Sequence, residues 1–549
     1  MRTDFIRIYK SVHTWTGIVS GMALFIAFYA GALTVFKEPL ARWATPPAAV
    51  QRDMPLADAQ TLIVRTLAAH AQAARGFTLH LADTEDVPGR LSWEVRDPQA
   101  DDHDQTATRR YTARLESGGA VAADATDPVP VAAFIDTLHR VVGLPVDNDP
   151  NRWVMGVIAA LYAMALFSGV VVLLPTLVKD FFALRVGRNL KRMWLDAHNV
   201  VGIVSLPFHV VMALTAAVFA FHDGIYALQD TVVHGGKWAA AYQRTADAPG
   251  PARDPAAMLA PPELLAGARA VAPGLEPHGL QYQGVTGPRA VVRVWGKDAQ
   301  AVQPRAVGGF LALDPYSGKV LSTEYLPGRQ DTPSLWISSF FALHMAAFGG
   351  AAVQWMYFVL GLAGAWLFYS GNLLWVETRR RRAGRDGVPP HQRRDVRYMA
   401  AATVGVCLGC ICGISLLLVA SKWLNGRVDD LATWHQGVYY ACFFGCIVWA
   451  FARGAARASV HLLWLACALT LAIPLTSLLA VMAPSLMLWT HTSASVLGVD
   501  ATACVLALIF AWMAVSTARR TRRGPIDSVW SATPGQGSAT VGNRVPSGR

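Results

Sequence analysis

The sequence predicts a mainly α-helical, polytopic membrane protein of about eight spans, with two small α+β modules outside the membrane and an internally duplicated core. Three observations carry this prediction. Of the 549 residues, 53% are hydrophobic and only 15% charged, less charge than a soluble chain of this length carries. Apolar runs of the roughly 20 residues that a bilayer crossing needs recur at 13–36, 153–175, 198–221, 350–375, 399–421, 432–452, 460–482 and 486–515. The histidines bounding the first four runs also come twice.

The first run opens on Val12-His13-Thr14-Trp15-Thr16-Gly17-Ile18-Val19-Ser20, and the third on Ala197-His198-Asn199-Val200-Val201-Gly202-Ile203-Val204-Ser205. Leu138-His139 precedes the second run, which ends near Phe167-Ser168-Gly169. Leu343-His344 precedes the fourth, which ends near Phe368-Tyr369-Ser370-Gly371. The duplicated unit is therefore helix, outer segment, helix. Residues 1–36 form its first span; they exceed a signal-peptide core in apolar length, so the segment is expected to be retained.

The outer segment 37–152 follows, then the span 153–175, a basic loop at 176–197 and the span 198–221. The second outer segment occupies 222–349 and the fourth span 350–375. In the outer segments, 91–95 and 110–115 alternate like paired strands, as do 290–295 and 309–313. Glu116-Ser117-Gly118-Gly119 and Asp314-Pro315-Tyr316-Ser317-Gly318-Lys319 have turn chemistry. Amphipathic helices are expected near 56–73 and 261–272, and 245–262 reads as a linker. A basic loop at 376–398 leads to an appended four-span bundle, 399–515, which lacks the repeat. The polar tail 516–549 is expected to be disordered.

The net charge of +11 gathers at span ends. The clusters are Arg2, Arg7 and Lys10; Lys179, Arg185, Arg188, Lys191 and Arg192; Arg379 to Arg382 with Arg385; Arg453 and Arg457; and Arg519, Arg520, Arg522 and Arg523. With alternating spans all fall on one side, which the positive-inside rule makes cytoplasmic, together with both termini. The basic balance is thus a topology signal, and no nucleic-acid partner is expected. All seven cysteines lie after residue 400, so the outer segments have no disulfides. Cys407-x-x-Cys410-x-Cys412 has a metal-like spacing, but in a Gly-rich apolar helix small packing residues are the better reading. Trp15, Trp153, Trp194, Trp355 and Trp375 sit mostly at span ends and read as interface anchors.

Ionisable groups at membrane depth are functional candidates, and facing imidazoles suit axial haem ligation. His13 and His198, as repeat equivalents, are expected to face one another across a pseudo-twofold axis, with His139 and His344 as an outer pair. His209 follows His198 by 11 residues, about 16 Å and three turns on a continuous helix, so one helix would reach two stacked haems. Whether His209 pairs with His139 or His344 is left open. His222 points elsewhere. Asp500 and His491 read equally as a proton or ligand path and as hydrogen-bonding residues; His435 and His461 read as interfacial. No Cys-x-x-Cys-His occurs, which speaks against covalently attached haem.

Several of these motifs in order resemble the PepSY-associated transmembrane family of bacterial inner-membrane proteins. They are Val12-His13-Thr14-Trp15, Leu138-His139-Arg140, Trp194-Leu195-Asp196-Ala197-His198-Asn199, Leu206-Pro207-Phe208-His209, and Leu343-His344 followed by Gly349-Gly350, Trp355 and Tyr357. The resemblance covers about 1–380. Leu214-Thr215-Ala216-Ala217 departs from the Thr-Gly often found after the Pro-Phe-His motif. Members include proteins resembling ferric-siderophore reductases, with b-type haems in the membrane and PepSY-like modules outside. The resemblance therefore implies two b-type haems held by His13, His198, His209, His139 and His344. It also implies electron transfer to a periplasmic ferric siderophore. No Gly-x-Gly-x-x-Gly or flavin domain appears in the cytoplasmic loops, so the donor is expected to be a quinol or a cytoplasmic reductase. The alternatives are a non-enzymatic PepSY-type binding or inhibitory protein and an iron-chelate transporter.

Overall fold

The computed structural model describes residues 3–47, 54–81, 89–97, 99, 108–116, 119–125, 129–178, 190–233, 235–237, 251–301, 303–305, 308–382, 390–525 and 527–531. Arg2, Lys179, Arg185, Arg188, Arg385, the turn residues Ser117 and Gly118, the linker stretch 245–250 and the tail from 532 lie outside these.

The chain begins with α1 (Thr3–Thr34) and α2 (Lys37–Ala44), then α3 (Ala59–Ala69) and strands β1 (Gly76–His80), β2 (Leu91–Arg96), β3 (Thr108–Leu115) and β4 (Val121–Ala125). Next come α4 (Val131–Arg140), α5 (Asp149–Leu173), α6 (Leu190–Val204), α7 (Leu206–Ala220) and α8 (His222–Val233). The second outer part holds α9 (Pro261–Val271), β5 (Glu276–Gln283), β6 (Val291–Lys297), β7 (Gly309–Leu313), β8 (Val320–Ser322) and α10 (Thr332–His344). The remaining helices are α11 (Gly350–Thr378), α12 (Arg394–Leu424), α13 (Leu431–Arg453), α14 (Ala455–Met482) and α15 (Ala494–Arg523).

A helix stands at each expected span, but not all qualify alike. Among the described residues, six helices are long and apolar enough to cross a membrane: α1, α5, α11, α12, α14 and α15. A seventh crossing is possible if α6 and α7 form one span, and these meet at a 70° bend. The cause is local. Pro207 lacks the N–H of a continuing helix and its ring crowds the carbonyl four residues back, while the Ser205 hydroxyl bonds the Val201 carbonyl at 2.6 Å. This corrects the sequence geometry, because His198 and His209 stand on two differently directed helices rather than on one straight face. α13 is outside the qualifying set; Thr433, His435, Gln436, Tyr439 and Tyr440 dilute its apolar run. α15 starts at Ala494 rather than near 486, which leaves His491 in the preceding irregular segment.

In the duplicated core α1 packs on α5 and α11, α5 on α7, and α6 on α11, closing a four-part ring. In the appended bundle α12 packs against α13 and α14, and α14 against α15. Gly405, Gly409 and Gly413 let α12 approach Ile447, Phe443 and Tyr439 of α13 closely, the small-residue packing that apolar helices use in place of a hydrophobic drive. Cys407, Cys410 and Cys412 are buried on this same helix.

The outer segments do not stand apart as two modules. Among the described residues, eight strands form one antiparallel sheet, ordered β4-β3-β2-β1-β5-β6-β7-β8. The halves join where β1 pairs β5, from Gly76 opposite Gln283 to His80 opposite Gly279. One apolar face serves both halves, with Leu62 and Ile63 of α3 and Leu264 of α9 packed in a core with Phe77, Leu91, Leu280 and Val292. Phe77 and Tyr282 stack across the seam at 4.5 Å. The Asp314 turn forms as expected, its Oδ1 accepting from the backbone N–H of Tyr316 and Ser317 at 2.8 and 2.9 Å. Arg253 grips the Asp314 carboxylate through two hydrogen bonds, which holds that carboxyl below the usual carboxylate range.

Candidate functional site

The four repeat-related histidines meet as two pairs. His13 of α1 and His198 of α6 have ring centroids 6.4 Å apart, with planes at 72°. His139 of α4 and His344 of α10 are 6.0 Å apart at 36°. Ala27, whose carbonyl bonds His139, lies 14 residues beyond His13 on α1, so the pairs are about 21 Å apart along that helix. Metal–imidazole bonds run about 2 Å, so two rings sharing one iron through Nε2 stand about 6 Å apart, centroid to centroid.

Hydrogen bonding selects the same tautomer in all four rings. His13 Nδ1 lies 2.8 Å from the Ala165 carbonyl and His139 Nδ1 2.8 Å from the Ala27 carbonyl. A carbonyl only accepts, so both nitrogens carry the proton. His198 Nδ1 is 2.9 Å from Ser370 Oγ, and that hydroxyl donates to the Leu367 carbonyl. His344 Nδ1 is 2.7 Å from Thr215 Oγ1, and that hydroxyl donates to the Val211 carbonyl. With their protons committed, both hydroxyls accept from the imidazoles. Each Nε2 therefore carries a lone pair, and each ring is oriented from behind, as ligating histidines are. Burial is the main cause lowering the pKa of His139 and of His344, the latter to about 3, which keeps the outer pair neutral.

Two glycines bring neighbouring backbone close against the rings. A Cβ on Gly169 would sit 2.9 Å from His13 Cε1, and one on Gly31 would sit 2.7 Å from His139 Nδ1. Next to the outer pair is a cavity of 530 Å³, within the size range of small-molecule sites. Phe28, Phe208, Phe219 and Tyr357 give it apolar walls, and Lys37, Asp136, Arg140 and Arg152 also line it. Lys37 bonds Asp136 at 2.8 Å, and Arg140 bonds Asp147.

His209 joins neither pair through a ring contact. It is 3% exposed, with Nδ1 2.6 Å from the Tyr162 hydroxyl and its ring 5.6 Å from Phe28. Its Nε2 is buried without a hydrogen-bond partner among the described residues. His222 bonds the Phe219 carbonyl. His435, expected at an interface, is fully buried in α13; His461 is exposed and accepts from Trp449. Asp500, which had no evident partner, accepts from Trp43 and Ser477.

The sequence reading missed the residues behind the rings. Ser370 and Thr215 both lay inside quoted motifs, Thr215 in the stretch that departs from the usual pattern. Among the described residues, no group of three or more His, Cys, Asp or Glu side chains is placed to hold a metal ion. A metal at either pair would need further ligands, such as the four nitrogens of a porphyrin.

A family model described as the PepSY-associated TM region matches residues 10–378. The match contains both histidine pairs and all eight strands and stops before α12. No curated protein matches the chain.

Proposed function

Because this chain belongs to the family of the PepSY-associated TM region, we propose that it is an inner-membrane electron-transfer protein that reduces a periplasmic ferric siderophore. His13 with His198, and His139 with His344, would each hold one b-type haem through Nε2. Bound there, the haem supplies one-electron chemistry that no side chain offers. The protein orients the ligating rings from Ala165, Ser370, Ala27 and Thr215, and packs glycines against them. The aromatic walls would pack against the bound group, and Lys37, Arg140 and Arg152, paired with Asp136 and Asp147, leave a small excess of positive charge beside it. His209, between aromatic rings, would contact the bound group near the outer pair.

Basic residues gather at the end of the bundle opposite the sheet, which supports cytoplasmic termini by the positive-inside rule. The electron would enter from a quinol or a cytoplasmic reductase and leave on the sheet side. One electron converts Fe(III) to Fe(II), which hard oxygen donors bind more weakly, and iron is released.

The observation carrying this reading is that the histidines meet as two ring pairs in which every Nδ1 has a carbonyl or hydroxyl partner, an arrangement that leaves Nε2 for a ligand. The test is to reduce the purified protein with dithionite, remove excess reductant, and add a ferric siderophore. Reoxidation of b-type bands with stoichiometric Fe(II) capture by a chelator is expected. A haem-loaded protein that stays reduced would remove the siderophore from the proposal.

A second reading, a non-enzymatic periplasmic binding protein, draws on a 480 Å³ recess on the sheet bordered by His80, Ser92, Arg110 and Gln281. It predicts ligand binding by a protein without haem.

A further inference from the structure

The appended bundle carries a charged cluster that the duplicated core does not use. Lys422 is two residues from the end of α12, where a lysine ordinarily extends to the membrane surface. Here it turns inward and is 2% exposed. Its Nζ donates to Ser477 Oγ of α14 at 3.4 Å and to the Trp489 carbonyl at 3.1 Å. It also lies 3.8 Å above the ring of Trp43, which is wholly buried in α2, a cation–π contact. Ser477 Oγ donates to Asp500 Oδ1 of α15 at 3.1 Å, and Trp43 Nε1 donates to the same oxygen at 2.9 Å. One serine hydroxyl thus touches both the ammonium and the carboxylate.

The charged and titratable groups on the described elements around the cluster are few. α12 contributes Lys422 and α15 contributes Asp500. α2 contributes Arg42, which bonds Ser495 Oγ at 3.1 Å. The segment before α15 contributes His491, which bonds the Thr45 carbonyl at 2.9 Å. Arg427 caps the Leu486 carbonyl, and the nearby half of α14 has no charged residue. Two neutral donors on the covering segment, Trp489 Nε1 and Ser493 Oγ, are buried without a hydrogen-bond partner among the described residues. Buried polar atoms of this kind are what internal water satisfies, and Asp500 itself is only half-buried, so its carboxyl is within reach of the surroundings.

We propose that Lys422, Ser477 and Asp500 form a proton-exchange site at the sheet-side end of the appended bundle, with Asp500 as the group that trades protons with water. One proton passes from Lys422 Nζ to Ser477 Oγ as the serine hydroxyl passes its own to Asp500 Oδ1. Ammonium and carboxylate become amine and carboxylic acid, with no net uptake. Asp500 then releases its proton to water on the sheet side, and reprotonation by the reverse route restores the ammonium. A buried ammonium set one hydroxyl away from a half-buried carboxylate is costly to keep as mere scaffolding, and the bridging hydroxyl gives the two groups a neutral alternative. This inference does not depend on haem at the histidine pairs.

The test is labelling of the full-length protein in lipid with dicyclohexylcarbodiimide, which attacks protonated carboxyls in apolar surroundings, followed by mass spectrometric mapping. An adduct at Asp500 is expected, with its yield falling as pH rises from about 5 to about 8 and absent in Asp500→Asn. Lys422→Met removes the neighbouring cation and should raise the yield at a fixed alkaline pH roughly tenfold. Absence of the adduct in the wild-type protein at every pH, or a yield independent of pH, would overturn the proposal and leave a static clamp on Trp43. The wild-type result requires no variant to fold.

Discussion

His139 and His344, one from each outer segment, face each other 6.0 Å apart, and each is held at Nδ1 by a different helix, α1 through Ala27 and α7 through Thr215. Residues distant in the chain thus produce one two-sided site, and its parts can be tested separately.

His344→Ala removes one Nε2 from the outer pair and leaves the inner pair intact. The purified variant should lose one of two haems, measured as pyridine haemochrome per chain. His13→Ala should remove the other.

Thr215→Val keeps the volume but deletes the oxygen that accepts from His344 Nδ1. Partners of this kind are worth roughly 10- to 100-fold in metal affinity. The expected outcome is a loss of that order in haem affinity at the outer pair alone, read by haem titration of the apoprotein.

Gly31→Ala places a methyl where 2.7 Å separates it from His139 Nδ1, so the ring must move. The altered axial geometry should shift the optical and paramagnetic spectra of the outer haem, while Gly17→Ala, with nothing within 4 Å of its Cβ, should be silent.

Tyr282→Ala opens a hole at the seam of the sheet, under the stacked Phe77. The loss should be about 3–5 kcal/mol. Because both halves share one core, pulse proteolysis should cleave the two outer segments together rather than one before the other.

Much of the site was legible because it is duplicated. Matching motifs identified His13 with His198 and His139 with His344 as equivalents, and the structure brings both couples together. What the sequence reading lost was direction and partnership. Pro207 stood in a quoted motif, yet the 11-residue spacing from His198 to His209 was read along an unbroken helix. Alternation marked the strands around Trp93 and Trp295 but not which edge meets which, and the β1–β5 seam joins residues some 200 positions apart. Lys422 escaped notice because one charge at the end of a long apolar run looks like an anchor; only the fold turns it toward Asp500.

Haem ligation by the two histidine pairs is tested by the oxidised and dithionite-reduced optical spectra of the detergent-purified protein, with haem quantified per chain after expression with ample haem. Sharp b-type bands at two haems per chain, falling to one in His198→Ala, are the predicted result. A colourless protein would exclude haem at the histidine pairs and turn attention to the recess on the sheet as the functional site.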